Sequence, residues 1–308
     1  LDATDDTALP IVGRATAGHP LDRPAARGTA VRVFTGARMP EGPDSVMMQE
    51  DCRVEGDRVI LRPGLQRGAN RRARGEDVTA GTTVLHRGQR LRPQDVGQAA
   101  AVGRRTLAVS RPLRVALLST GDELRQPGTA LPDGCIYDSN RYTLMALLGG
   151  LGCAVDDLGI VADRPQAVRD ALSTAAPGHD LVVTSGGVSV GEEDHIKSAV
   201  EALGSLHFWR LAIRPGRPVA LGQMPFIGLP GNPVAVMVTA VTILRPMVLR
   251  LMGGTGLVPR RFRVRADFAY KKKKDRREWL RARLEGDGAA GWRAVKFPRD
   301  GAGILSSL

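Results

Sequence analysis

The sequence contains few aromatic residues and few cysteines, and both shortages limit what the protein can be. Phe, Trp and Tyr make up 4% of its 308 residues, and the three cysteines, Cys52, Cys135 and Cys153, form no Cys-x-x-Cys pair. So few and scattered cysteines exclude a disulfide framework and favour a reducing, cytoplasmic compartment. Polar residues interrupt the most apolar window, 235–252, and we therefore expect no membrane span.

Acidic residues are outnumbered, and the imbalance is concentrated in one part of the chain. The 44 Lys and Arg exceed the 32 Asp and Glu by 12, and residues 260–299 hold 15 of the basic residues against five acidic ones. Four consecutive lysines at 271–274 could contact phosphates. However, no aromatic residues interleave with them, and a charged run between strand-like segments is typical of a solvated hairpin. We expect no nucleic-acid partner.

The periodicity of the chain predicts an α/β protein flanked by β structure, and a hydrophobic fraction of 43% suffices for buried cores. From residue 113 onward, short apolar runs alternate with helical segments, which predicts a doubly wound, mostly parallel sheet. The predicted boundaries are an N-terminal β domain at 1–90, a linker at 91–112, an α/β domain at 113–255 and an incomplete C-terminal β domain at 256–308.

The flanking regions carry less regular patterns, from which we predict individual elements. In the N-terminal domain, β-branched runs predict strands at 30–34, 45–49 and 58–61. In the linker, the pattern predicts a helix at 93–103 and a strand at 106–109. In the C-terminal domain, runs separated by Gly and charge predict strands at 262–268, 279–284 and 292–297.

Ligands bind open parallel sheets beyond the carboxyl ends of the strands, so the residues that follow the predicted strands are the first candidates for a site. One strand is followed by Thr120-Gly121-Asp122-Glu123, and another by the glycine-rich stretch 185–194. The amides of this stretch could cradle a phosphate at a helix start, but its three acids would then require a divalent cation. The same acids can also stabilise a helix N-terminus without any function. The spacing matches neither a dinucleotide-binding fingerprint nor a P-loop.

Two further turns contain candidate residues with a structural alternative. Asp138 precedes a predicted helix, where a capping role and a ligand-binding role are equally compatible with the sequence. Pro230 and Pro233 belong to the turn 228–233, which opens the last long helix and can be purely architectural.

Three arginines lie close together beside the predicted strand before this turn. Arg210, Arg214 and Arg217 have no acidic neighbour between residues 208 and 223. Guanidinium groups suit the binding of phosphates and oxyanions, which makes these arginines candidates for substrate binding. Because Arg supplies 38 of the 44 basic residues, their proximity alone is weak support.

Five elements together resemble the molybdopterin molybdenumtransferase family, which includes bacterial MoeA and the gephyrin E domain. They are Thr35-Gly36-Ala37-Arg38-Met39-Pro40 and the stretches 70–77, 120–124, 185–194 and 228–233. The resemblance implies an enzyme that takes adenylylated molybdopterin and molybdate, places molybdenum on the dithiolene sulfurs and releases AMP with Mg²⁺. It also implies a MogA-like α/β domain, a C-terminal β-barrel-like domain and an elongated homodimer, whose cleft combines domains of both subunits.

The resemblance assigns roles to individual residues through the matching motifs. It implies catalytic roles for Thr35, Glu123, Asp138 and Asp194, with the three acids as Mg²⁺ ligands. It implies substrate binding by Ser185, Gly186, Gly187, Ser189, Arg210, Arg214, Arg217, Pro230 and Pro233. Many members have Lys at the three Arg positions, and Arg keeps the charge but does not serve as a proton donor. The implied partners are the adenylyltransferase that supplies the intermediate and molybdoenzyme chaperones.

The sequence departs from the family pattern at both ends. The family's Ser-x-Met-Asp-Gly-Tyr-Ala element, whose Asp is an active-site residue, would lie just before Leu1. The strands that normally follow the Gly-Ser-rich element, at 301–308 here, are absent, and Ala302 replaces the usual Ser. We therefore expect a full transferase in the parent protein and impaired turnover by residues 1–308 alone.

Two other functions stay open on the sequence. A MogA-like adenylyltransferase shares the α/β domain and would consume ATP, but the Thr35 element and the extra β domains disfavour it. A non-catalytic molybdopterin-binding scaffold would need no acidic site residues. The retention of four polar positions, Thr35, Glu123, Asp138 and Asp194, favours the enzyme.

Overall fold

The computed structural model divides into two units, Leu1–Val84 and Leu85–Leu308. It describes residues 5–187, 195–216, 218–222, 225–286 and 291–308, without the side chains of 197, 203, 206, 208–210, 218 and 222.

The first unit contains four strands: β1 (Thr7–Ala15), β2 (Ala30–Val33), β3 (Cys52–Glu55) and β4 (Arg58–Leu61). They form one sheet in the order β2-β1-β4-β3. The strands predicted at 30–34 and 58–61 are confirmed, but the one predicted at 45–49 is wrong. Instead, the N–H of Val46 donates to the Ala69 carbonyl and the Ser45 hydroxyl accepts from the Gly68 N–H, which ties this segment to a loop.

The second unit begins with the helix α1 (Pro93–Ala101), close to its predicted span. The strand predicted at 106–109 is wrong, because this segment pairs with no strand of the described chain and Val109 is 69% exposed.

In the described residues nine strands follow, listed here with their bounds: β5 (Arg114–Thr120), β6 (Leu124–Arg125), β7 (Ile136–Tyr137), β8 (Ala154–Val161), β9 (Leu181–Ser185), β10 (Leu206–Arg210), β11 (Ile213–Arg214), β12 (Pro218–Gly222) and β13 (Phe226–Leu229).

Six of these strands form a mixed sheet in the order β10-β12-β13-β9-β5-β8. The pairs β13·β9, β9·β5 and β5·β8 are parallel, while β10·β12 and β12·β13 are antiparallel. The four parallel strands therefore end at one edge of the sheet. β6 and β7 form a separate small ladder between β5 and the next helix.

Helices cover both faces of this sheet, which confirms the predicted doubly wound arrangement. They are α2 (Ser139–Leu151), α3 (Pro165–Ala175), α4 (His195–Leu203), α5 (Pro233–Thr239) and α6 (Arg245–Leu251). Leu144 of α2 and Val236 of α5 pack with Leu117 on one face, whereas Leu172 of α3 and Ile196 of α4 lie in the cluster on the other. Each fully buried side chain of this kind contributes about 1.5–3 kcal/mol.

The last helical run, Pro233–Leu251, is long and apolar enough by length and composition to cross a membrane. It contains a π-helical turn, Ala240–Leu244, between α5 and α6. Val236, Ala240, Leu244 and Val248 of this run are buried in the core beside the sheet. This pattern is typical of the core helix of a globular domain.

The C-terminal part of the second unit contains four short strands: β14 (Arg265–Ala266), β15 (Arg277–Glu278), β16 (Ala282–Gly286) and β17 (Trp292–Lys296). Three of them form the sheet β14-β17-β16, while β15 pairs in parallel with β11. The predicted β character of this region is confirmed, with shorter strands than expected. Its barrel-like form stays a prediction.

The start of α1 supports a prediction about acid stability. Asp95 accepts bonds from the Arg92 backbone N–H at 2.8 Å and from the Arg92 Nε at 3.0 Å. The two bonds lower the pKa of Asp95 to about 2, and the bond from the Arg92 side chain has a larger effect than the bond from its backbone. An unfolded Asp has a pKa of about 3.9. The contribution of Asp95 to the free energy of unfolding is therefore fully present above that pH and is lost as the pH falls toward about 2.

We therefore expect the melting temperature of the wild type to fall more steeply between about pH 4 and pH 2 than that of Asp95→Asn. Thermal melts at several pH values measure this difference. Asp133→Asn, which replaces an exposed carboxylate, serves as the matched control and should follow the wild type. Parallel curves for wild type and Asp95→Asn would contradict the prediction.

Candidate functional site

A cavity of about 780 Å³ lies at the carboxyl ends of the four parallel strands. Thr120 and Glu123 follow β5, Asp163 follows β8, and Gly187 and Pro230 follow β9 and β13. The opposite wall comes from β11 and from the C-terminal strands and loops, between residues 270 and 302. The cavity has the size of a small-molecule site and lies at the edge that the sequence predicts.

Glu123 stands on a tight turn that directs its carboxylate back over the end of β5. Leu124 N donates to Gly121 O at 3.0 Å, and Gly121 has a φ of +149°. A Cβ at Gly121 would lie 2.5 Å from Glu123 Oε2. Any other residue at 121 would therefore displace the Glu123 carboxylate.

The start of the glycine-rich stretch packs closely against the same strand end. Gly186 and Gly187 have φ values of +87° and +66°, which favour glycine. A Cβ at Gly187 would lie 2.6 Å from Thr120 Oγ1 and 2.5 Å from Ile196 Cδ1. Thr120 Oγ1 is buried and has no hydrogen-bond partner among the described residues. Ser185, by contrast, is 2% exposed and does not line the cavity.

The turn 228–233 lies beside these glycines and is fixed from several sides. Gly186 N donates to Leu229 O at 3.1 Å, and Asn140 Nδ2 donates to Gly231 O at 2.6 Å. Pro230 lines the cavity, whereas Pro233 occupies the first turn of α5 and does not. These bonds tie the turn to the glycine-rich stretch and to α2, in agreement with the architectural role that the sequence allows, and substrate binding by Pro230 and Pro233 stays a prediction.

Asp138 caps α2 and is not among the residues that line the cavity, and its implied role as a metal ligand stays a prediction. Its Oδ1 accepts from the backbone N–H of Arg141 at 3.2 Å, and its Oδ2 accepts from Arg141 Nε at 2.9 Å. The residue is 2% exposed. Both carboxylate oxygens thus accept bonds from Arg141, and the structure shows the capping role that the sequence left open.

Arg214 lines the cavity and has an acidic neighbour that its local sequence does not contain. Its Nη1 lies 3.8 Å from Glu278 Oε1, on the strand β15 that pairs with β11. The Glu278 side chain is 3% exposed, and Arg276 Nε lies 3.2 Å from the same oxygen. Burial raises the pKa of Glu278, but bonds from Lys273 N, Tyr270 and Arg276 outweigh it and hold this pKa below its usual range.

Several cavity residues were not foreseen as site residues. Asp163 follows β8 at the sheet edge, and Tyr270, Arg276 and Arg281 come from the C-terminal part of the unit. Arg281 Nη1 donates to Gly301 O at 2.8 Å and Nη2 donates to Arg299 O at 2.9 Å, so it organises the C-terminal turn. The position of Asp163, two residues after the end of β8, could have identified it as a candidate from the sequence.

The other predicted residues divide into two groups. Thr35 belongs to the first unit, where it is exposed in the turn after β2, with Ala37 N donating to Phe34 O at 2.9 Å. The remainder, Ser189, Asp194, Arg217 and the side chain of Arg210, lie outside the described residues. Within the described part of the chain, no three His, Cys, Asp or Glu residues are grouped as a metal site.

Sequence and structure comparisons agree on the class of the second unit. A family model described as "Probable molybdopterin binding domain" matches residues 116–250, and another described as "MoeA N-terminal region (domain I and II)" matches residues 2–103. A molybdopterin biosynthesis MoeA protein structure from Pyrococcus horikoshii has a TM-score of 0.81 at 26% identity, covering 98% of this chain and 74% of that one. The α/β sheet of the second unit therefore matches the family of probable molybdopterin binding domains.

Curated relatives narrow the assignment. The chain is 41% identical to a molybdopterin molybdenumtransferase of Haemophilus influenzae, over 82% of this chain and 63% of the relative. It is 37% identical to the enzyme of the same name from Nostoc, over 82% of this chain and 59% of the relative. The chain belongs to the molybdopterin molybdenumtransferase family. It spans about 60% of the length of these relatives.

Proposed function

We propose that this chain carries the molybdenum insertion activity of its family. In this reaction the two dithiolene sulfurs of adenylylated molybdopterin replace two oxygens of molybdate, which leave as water, and water cleaves the phosphoanhydride so that the adenylyl group leaves as AMP. The observation that carries the proposal is the cavity at the sheet edge, where Glu123 and Asp163 lie in the same lining as Gly187 and Arg214. Such a lining offers carboxylates for a cation and a guanidinium for an anion.

Mg²⁺ is the cation that fits this donor set. It usually binds through one or two carboxylates together with substrate phosphates, so a preformed cluster of three protein acids is not required. Glu123 and Asp163 would hold it, and Asp194 belongs to the same proposal through its motif. The bound ion would neutralise charge on the phosphate oxygens of the departing AMP.

The chain's own residues would orient the substrate. The glycine turn at 186–187 would present its backbone to the ligand, since both glycines line the cavity, and a Cβ at either position would clash with Thr120. Arg214 would bind a phosphate or molybdate oxygen, with Arg210 and Arg217 assigned to the same task by their motif. Arg keeps its charge at neutral pH, so its role is electrostatic rather than proton transfer.

The test is AMP release from adenylylated molybdopterin, measured by chromatography with and without molybdate and Mg²⁺. We expect release that requires both additions. The assay compares this chain with a version extended at both ends to the length of its relatives. Consumption of ATP would indicate an adenylyltransferase, and molybdopterin binding without AMP release from either version would indicate a scaffold.

The assembly and setting are part of the same proposal. We propose a homodimer in the cytoplasm, with Thr35 contributing to the active site, as the family resemblance implies. Three free cysteines fit a reducing compartment. Sedimentation equilibrium measures the oligomeric state, and a monomer at micromolar concentration would contradict the dimer.

A further inference from the structure

We infer that Arg141 is a positioning residue for Glu123, and that it acts by fixing the loop 121–126 through Gln126. The inference rests on the proposed function, since the position of Glu123 affects turnover only if Glu123 serves in the site. Arg141 itself does not line the cavity. Its effect therefore passes through the backbone that carries Glu123.

Arg141 is a buried cation that joins three different segments. It is 1% exposed and lies in the first turn of α2. Its Nε donates to Asp138 Oδ2 at 2.9 Å, its Nη1 donates to Asp157 Oδ2 of β8, and its Nη2 donates to Gln126 Oε1. A planar guanidinium serves such divergent acceptors, whereas the ammonium of a lysine is a compact point charge.

The segment held at Gln126 is the one that carries Glu123. Ile136 N donates to Glu123 O at 2.9 Å, and Asp138 N donates to Arg125 O at 3.0 Å. Arg141 thus contacts both sides of this small ladder, Gln126 on one and Asp138 on the other. Because Arg141 holds both sides of the ladder, it would also fix the turn at Gly121 and the position of the Glu123 carboxylate.

The contact with Gln126 can be separated from the folding role of Arg141. A change of Asp138 or Asp157 would remove a charged partner and leave the buried Arg141 cation without part of its compensation. Gln126 is exposed, and its side chain otherwise donates only to the Tyr142 hydroxyl among the bonds of the described residues. A change at Gln126 therefore removes the loop contact while Arg141 keeps its carboxylates.

The experiment compares Gln126→Ala with Gln126→Glu, which retains an oxygen acceptor for Arg141. Gln166→Ala is the matched control, because Gln166 is also exposed and donates one bond, to Asp170 at 2.7 Å. Hydrogen exchange at the amides of Leu124, Ile136 and Asp138 reports the loop directly in this chain. We expect about tenfold faster exchange at these amides in Gln126→Ala and in neither other variant. Loss of the Arg141 contact would lower the free energy of local opening of this loop, which controls the exchange rate.

The second readout is steady-state AMP release, in whichever length of the chain turns over. We expect kcat to fall about tenfold in Gln126→Ala with little change in KM, since small misplacements of a catalytic group are costly. Gln126→Glu should restore both readouts toward the wild type. In the Glu123→Gln background, Gln126→Ala should have no further effect on kcat.

The outcomes separate the two proposals. If the wild type of neither length releases AMP, the proposed function fails, while hydrogen exchange still decides whether Arg141 fixes the loop. If the wild type is active but Gln126→Ala leaves exchange and kcat unchanged, the positioning role is overturned. Equal acceleration at the amides of β5 would also overturn it, because it would indicate general destabilisation.

Discussion

Replacement of Glu123 by glutamine is expected to lower molybdate-dependent AMP release by about 10²- to 10³-fold, the effect of removing one electrostatic contact to a transition state. Glutamine keeps the size of the side chain and removes its charge. A cation between this carboxylate and the substrate phosphates would therefore bind more weakly. We expect the Mg²⁺ concentration for half-maximal rate to rise, and higher Mg²⁺ to recover part of the activity.

Folding should be unaffected by this change, because Glu123 is exposed. The melting temperature of Glu123→Gln is expected to match that of the wild type. Asp133→Asn is the matched control, since it removes an exposed carboxylate from the same 121–137 segment without touching the cavity. Wild-type turnover and Mg²⁺ dependence in Glu123→Gln would contradict the assignment of this residue.

The part of the site that follows from strand ends was predictable. Buried parallel strands appear in the sequence as short apolar runs, and their carboxyl ends must share one edge of the sheet. This reasoning alone brings Glu123, Gly186, Gly187 and Pro230 together. The same rule applies to Asp163, which lies two residues beyond the end of β8.

The part that depends on distant pairing was not predictable. Arg214 has no acidic neighbour within its own segment, yet β15 lies beside it and supplies Glu278, which comes 64 residues later in the chain. Similarly, β1 contains Pro10 and Gly13, which normally disfavour a strand, and it tolerates them through an irregular register between Ile11 and Gly13. The local propensity of a segment does not show which distant segment pairs with it, neither β15 beside Arg214 nor the strands beside β1.

The sequence around Asp138 is compatible with two roles, a helix cap and a cation ligand, and does not show whether the residue is buried. Its position before α2 suits a cap, and its carboxylate suits a cation. The structure adds that Arg141, three residues later, donates its backbone N–H to Asp138 Oδ1 and its inward-facing side chain Nε to Asp138 Oδ2. An Arg at the third position of a helix is ordinarily exposed, so its burial did not follow from sequence.

That burial makes Arg141→Met the most destabilising single change that we expect in the second unit. Methionine fills part of the volume but leaves the Asp138 carboxylate, which is 2% exposed, without its cation. Removing one partner of a buried ion pair costs about 3–5 kcal/mol of the free energy of unfolding. Urea denaturation followed by circular dichroism measures this loss, as a lower midpoint at a similar slope.

Two further variants identify the cause of the loss. Arg90→Met removes an exposed arginine whose Nη2 donates to Gly150 O at 2.9 Å, and it should cost less than about 1 kcal/mol. Asp138→Asn combined with Arg141→Met should recover part of the stability, because the unpaired charge is gone. If Arg141→Met were no more damaging than Arg90→Met, the buried ion pair between Asp138 and Arg141 would not be contributing to the stability of this unit.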